Sequence, residues 1–186
     1  MRLFLSILVA VTFVAACSNS NQSNTPAVPK ADENQIVITN DMENAAAMIP
    51  SWINEAVVVK MENGTAHSGE FVARVDDQNL YTYAFMESFE NINQKLPKRV
   101  VMNGWVNSPD PSPELGLIMD ISEDNVMKIW KSYSLTKTVE KPNQWFEFTA
   151  YFPIDQQIQP NYKVKLFGYS GKKLAYFDDF KITFEY

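Results

Sequence analysis

The chain has one cysteine and one histidine in 186 residues. A single cysteine excludes an internal disulfide framework, so the core must hold without covalent staples. A single histidine, His67, makes histidine-based catalytic triads and histidine-rich metal sites hard to build. The Gly-x-Ser-x-Gly, His-Glu-x-x-His and Gly-x-x-x-x-Gly-Lys-[Ser/Thr] motifs are all absent. Positive charge is also scarce. Sixteen Lys and Arg face 22 Asp and Glu, a formal charge of −6, which argues against nucleic acid as a partner. Long amphipathic helical patterns are missing; the one helical stretch, 43–49, is too short to carry a fold.

At the N-terminus Arg2 precedes an apolar run over 3–16, and Val14-Ala15-Ala16-Cys17 sets small residues before the cysteine. The run is shorter than the roughly 20 residues of a membrane span, so it reads as a secretory signal rather than an anchor helix. The tetrapeptide resembles the lipobox of bacterial lipoproteins. The resemblance implies cleavage after Ala16, acylation of Cys17 (palmitate among the chains) and membrane contact through that lipid anchor. Ser18 and Asn19 are not aspartate, which under enteric sorting rules implies the outer membrane, facing either the periplasm or the surface. Residues 18–32 are polar, with two prolines and no periodicity. The expected layout is thus a signal peptide over 1–16, a lipidated flexible tether over 17–34 and one folded domain over 35–186.

From residue 35 onward, short runs rich in β-branched and aromatic residues alternate with turn signals. They cover 35–39, 56–61, 70–76, 80–89, 99–107, 115–121, 126–134, 145–152, 162–169 and 174–186. Phe146, Phe148, Ala150 and Phe152 oppose Trp145, Glu147, Thr149 and Tyr151, the period of a half-buried strand. Such spacing without amphipathic helices predicts an all-β fold, an antiparallel β-sandwich. Asp120 opens a run like an EF-hand loop, but Asn125 stands where glycine is required and Lys131 where glutamate is, so a hairpin turn is expected. Alternate prolines make 108–113 a stiff loop, either a plain connection or one wall of a cleft.

The last run, 174–186, poses a puzzle. Strict alternation puts Leu174, Tyr176, Phe180, Ile182 and Phe184 on one face with Asp178 among them. Ala175, Phe177, Asp179 and Lys181 would share the wetter face. A carboxylate in an apolar stripe is expensive unless a cation or several N–H donors hold it.

Several segments resemble, in order and spacing, the galactose-binding-like jelly rolls of carbohydrate-binding modules. Asp41-Met42-Glu43-Asn44 is similar to their N-x-F-E signature, with Met42 in place of the aromatic, and Trp52 follows. Thr65-Ala66-His67-Ser68-Gly69-Glu70-Phe71 resembles their A-H-S-G-K turn. Val101-Met102-Asn103-Gly104-Trp105-Val106 resembles their S-x-W-V strand, and Tyr176-Phe177-Asp178-Asp179-Phe180 their closing I-D-D-V strand. The resemblance implies a jelly-roll sandwich over 41–186 and a structural Ca²⁺ between the first strand, the turn and the closing aspartate. Glu43 and Asp178 would supply side chains, and Asp41, His67 and Ser68 carbonyls. The alternative is metal-free, with Asp178 accepting backbone N–H groups of the 66–69 turn.

Aromatics are plentiful: 4 Trp, 8 Tyr and 12 Phe. Sugars stack their apolar faces on such rings and bond polar neighbours with their hydroxyls. Trp130 shares a face with Lys128 and Ser132, Tyr151 with Glu147 and Thr149, and Trp105 with Asn103. These three are the candidate ligand-binding residues; the alternative for each is the sandwich core. The two opposed carboxylates of a glycosidase have no motif here, and E-x-D-x-x-E is absent. The expectation is a lipid-anchored, non-catalytic glycan-binding lipoprotein of the outer membrane. The alternative is a structural or protein-interaction lipoprotein without a sugar site.

Overall fold

The computed structural model describes residues 34–48, 51–61, 64–110 and 113–186, all within one unit, Ala31–Tyr186. Cys17, the signal and nearly all of the tether lie outside the described residues, as do two positions of the proline-rich loop. Among the described residues no helix is long and apolar enough to cross a membrane.

The strands are β1 Gln35–Asn40, β2 Trp52–Ile53, β3 Val58–Lys60, β4 Phe71–Val75, β5 Ala84–Ser88, β6 Arg99–Asn107, β7 Leu115–Glu123, β8 Val126–Ser134, β9 Phe146–Pro153, β10 Lys163–Ser170 and β11 Ala175–Glu185. The expected runs match closely, β6 and β8 to the residue. β2 has only two residues, too few for any period. The helical stretch reduces to a 3₁₀ turn, Ala45–Met48, and one further turn, α1, spans Phe89–Ile92. The EF-hand-like segment is a hairpin, with Asp124 and Asn125 at φ 48° and 64° between β7 and β8.

Two antiparallel sheets face each other. One has the order β3-β4-β11-β6-β9, with β1 also on β11; the other runs β2-β5-β10-β7-β8. Phe177, Phe180 and Phe184 of β11 meet Phe148 of β9 and Phe85 of β5 between the sheets, at ring distances of 6.0–6.2 Å. Burying each such ring stabilises by about 1.5–3 kcal/mol, which is how the sandwich holds without a disulfide.

β11 departs from strict alternation. Its register on β6 slips between Asp178 and Lys181, and Asp179 takes the left-handed conformation at φ 50°. This bulge inserts one residue and reverses the phase of the strand. Ala175 and Phe177 therefore face the core before it, and Phe180, Ile182 and Phe184 after it. Phe177 belongs to the core rather than the wet face, and Asp178 points to the outer side of the sheet. The bulge also lets one edge of β11 serve two strands, β4 along Ala175–Phe177 and β1 along Phe180–Glu185.

Candidate functional site

Asp178 is fully buried although it lies on the outer face, because the 66–69 turn folds over it. Its Oδ2 accepts the backbone N–H groups of His67 at 3.0 Å and Ser68 at 3.2 Å, and Oδ1 that of Asp179 at 2.8 Å. Burial pushes its carboxyl up from 3.8 to about 6, against the pull of these donors and with the charge of Asp179 adding to the rise. Glu43 secures the far side of the turn. Its Oε1 accepts the N–H groups of Glu70 and Phe71, each at 2.9 Å. Gly69, at φ 56°, leaves room for it; a Cβ there would lie 2.2 Å from that oxygen.

The expected calcium set does not fit as arranged. In a trans peptide the C=O points opposite to the N–H. With the Ser68 N–H aimed at Asp178, the His67 carbonyl is directed away from it. The Ser68 hydroxyl goes to Asp179 Oδ1 at 2.7 Å, and His67 Nδ1 lies 2.6 Å from Asp179 Oδ2. The Asp41 side chain accepts the Glu43 N–H at 3.1 Å. Among the described residues no three His, Cys, Asp or Glu side chains gather as a metal site. Calcium wants six to eight oxygens; the Asp178 and Glu43 carboxylates accept five backbone N–H groups between them.

The three expected platform aromatics do not come together. Trp105 faces outward on β6 but is half-buried, its ring stacked on His67 with centroids 3.8 Å apart. Tyr151, 54% exposed, lies on β9 of the same sheet opposite Val101, four residues along β6 from Trp105. Arg99 sits over its ring at 5.5 Å. Trp130, 48% exposed, stands on β8 of the other sheet.

Around Trp130 the outer face of the five-stranded sheet carries an aromatic strip. Trp130 meets Phe167 edge-on at 6.1 Å, Phe167 meets Tyr81 at 5.2 Å, and Tyr81 meets Tyr169 at 6.1 Å. Cross-strand pairing places these rings on one face: Phe167 opposite Ile118 and Ser132, Tyr169 opposite Gly116 and Ser134. Tyr81 is 47% exposed, so the strip is open at both ends around the buried Phe167. Next to Tyr169 lies a groove of about 330 Å³ lined by Ile118, Ser132, Tyr133 and Ser134. One row further, Lys165, Asp120 and Trp130 stand side by side. Sequence reasoning missed Tyr81 and Phe167. Phe167 alternates with Leu166 and Gly168, and that period was the available signal for its face; Tyr81 precedes β5 and has none.

A second depression, of about 360 Å³, lies among the loops at one end of the sandwich. Trp145, Tyr176, Asn107, Asn143 and Pro109 line it, and Trp145 Nε1 donates to the Thr65 carbonyl at 2.9 Å. The proline-rich loop thus walls this pocket with Pro109, while Glu114, just past it, reaches the groove on the sheet face.

No family model and no curated protein matches the chain. Solved structures do. The CBM22-1 xylan-binding domain of Paenibacillus barcinonensis Xyn10C superposes with a TM-score of 0.53 at 15% identity, covering 83% of this chain and 98% of that one. The CBM35 of Cellvibrio japonicus Abf62 gives 0.50 at 13% identity over 79% and 92%. Xyl-CBM35, solved with a glucuronic acid containing disaccharide, gives 0.50 at 13% over 78% and 91%. The chain shares the antiparallel β-sandwich fold of these carbohydrate-binding modules.

Proposed function

We propose that this protein is a non-catalytic glycan-binding lipoprotein of the cell envelope, held at the outer membrane by a lipid on Cys17. The observation that carries the reading is the pair of half-exposed rings, Trp130 and Tyr81, set on either side of the buried Phe167 on the outer face of the five-stranded sheet. A ring half open to solvent contributes little to the core yet presents a flat apolar face to a sugar. Serines and charged groups flank the strip and suit sugar hydroxyls. The fold supports the reading by analogy, since it is shared with a xylan-binding domain. Xylan is therefore the first polymer to test.

Trp130→Ala is expected to abolish retardation of the protein in polysaccharide-containing gels while leaving the melting temperature nearly unchanged. Trp145→Ala probes the loop-end pocket in the same gels. Loss of binding in that variant alone, with Trp130→Ala binding normally, moves the site to the loops. No retardation of the wild type by any polysaccharide leaves the structural or protein-interaction role. Cys17→Ser is expected to shift the protein from the membrane pellet to the soluble fraction; persistence in the pellet refutes the anchor.

A further inference from the structure

β1 enters the sandwich at the same end as the tip of the β7–β8 hairpin. Gln35, Glu185, Arg99 and Pro153 stand in one row across the six-stranded sheet. In the other sheet Ser88, Lys163 and Ser122 form the matching row, and Met127 lies opposite Ser122. The connections between the sheets close over this end. There the Phe89 N–H donates to the Tyr162 carbonyl at 3.0 Å and the Ile154 N–H to the Lys98 carbonyl at 2.8 Å. Turns normally carry polar residues, yet Val126 and Met127 directly follow the Asp124-Asn125 turn and are each 59% exposed. The charges beside them are held in pairs, Lys128 on Glu123 at 2.9 Å and Lys131 on Asp155 at 2.8 Å. Lys128 also lies over the Tyr162 ring at 5.9 Å, which ties the base of the hairpin to the 154–162 loop. That loop has a single charged residue, Asp155. An exposed apolar pair among neutralised charges suits an apolar–polar interface better than open water.

Resting on the lipid anchor at Cys17, and not on the glycan site, we propose that the β7–β8 hairpin tip is a second membrane contact. Val126 and Met127 enter the headgroup region of the bilayer that holds the lipid. Asp124, a carboxylate at the turn itself, stays among hydrated headgroups and limits the depth. The length of the chain selects this end of the sandwich. Cys17 precedes Gln35 by 18 residues, which reach at most about 60 Å. The nine-residue strands β6, β7 and β8 run about 30 Å. Presenting the opposite end to the bilayer would use up about half of that reach in running back along the sandwich. Two side chains bind a bilayer weakly by themselves, but a lipid already inserted makes their contact intramolecular, at high effective concentration. Because the contact is apolar, salt does not screen it. The tip then orients the domain. The depression among Asn107, Asn143 and Trp145 points away from the bilayer, and Trp130, at the middle of β8, stands to the side.

The test uses the full-length acylated protein in phosphatidylethanolamine–phosphatidylglycerol vesicles. Acylation of the single cysteine leaves no free thiol, so Met127→Cys and Lys141→Cys each accept one fluorophore. Lys141 is exposed in the β8–β9 connection, at the opposite end. Nitroxide-bearing lipids are expected to quench the label at 127 several-fold more than the label at 141, at high salt as at low. Adding Val126→Asp to Met127→Cys should bring the quenching down to the level at 141 while the protein stays in the vesicle pellet. Unchanged quenching there traces the signal to the label and overturns the contact. Equal quenching at the two positions, or more at 141, in protein that pellets with the vesicles overturns the contact and leaves the anchor standing. A wild type that takes up fluorophore at Cys17 and stays out of the pellet overturns the anchor and the contact with it. Quenching at 127 that vanishes at high salt shows electrostatic adsorption and overturns the apolar insertion. A label at 127 that is shielded in native envelope membranes but unquenched in vesicles points to a protein partner and overturns it too. If Val126→Asp lowers the melting temperature, Val126→Ser is measured in its place against the same expectation.

Discussion

Asp178 gives the sharpest test of the physical reasoning, because its burial and its hydrogen bonds pull in opposite directions. Three N–H groups hold the carboxylate, yet its pKa stands at about 6 rather than 3.8. Desolvation therefore outweighs the donors, and the folded state takes up a proton that the unfolded chain releases. The sign follows from linkage. A folded pKa above the unfolded one contributes stability that is fully present below 3.8 and is lost as pH rises through 6. Over the whole range the difference amounts to roughly 3 kcal/mol, of which about 1.4 kcal/mol falls between pH 8 and pH 5. Asp178→Asn keeps the shape and carries no such proton. It also turns an amide N–H₂ toward one of the three donors, so it destabilises at every pH. Its cost, measured by urea unfolding in the presence of chelator, should be larger at pH 5 than at pH 8 by about 1.4 kcal/mol. Comparing wild type with variant at each pH cancels the titration of other groups. A cost that is flat with pH, or that grows toward pH 8, would refute the reasoning: the donors would then be stabilising an anion.

Two further outcomes bear on the same turn. Gly69→Ala forces a side chain into the left-handed region and against Glu43 Oε1; it should cost about 2–4 kcal/mol in thermal or urea unfolding, and a neutral result would mean that Glu43 does not clamp the turn. Chelator and added Ca²⁺ should both leave the melting temperature unchanged, and a rise of several degrees with Ca²⁺ would restore the metal.

The sandwich was legible in the sequence because short β-branched and aromatic runs are separated by turn signals and because some of them, as in β9, alternate apolar and polar residues. The cost of Asp178 was legible too, since a carboxylate between Phe177 and Phe180 has to be covered by something. Its true direction was not. A bulge turns on one left-handed residue, and Asp179 adopts that conformation without any glycine to announce it. Trp130 could be placed on an outer face by its polar neighbours at i±2. Tyr151 and Trp105 satisfied the same rule and yet sit on the opposite sheet, because alternation says which side of a strand a residue faces and nothing about which strands are neighbours. The fate of Asp120 depends on the β7–β8–β10 pairing, which no local pattern encodes.

The place of β11 also sets the order in which the chain can assemble. Its partners β1, β4 and β6 begin at residues 35, 71 and 99, while β11 begins at 175, so the six-stranded sheet closes only through contacts distant in sequence. Such topologies fold in milliseconds to seconds rather than microseconds. Until β11 docks, β1 has no neighbour at all, and β4 and β6 each offer a bare row of N–H and C=O groups to any other chain. A variant that slows docking of this strand without weakening the finished sandwich should therefore show its defect as aggregation during refolding, with a normal melting temperature in whatever fraction survives.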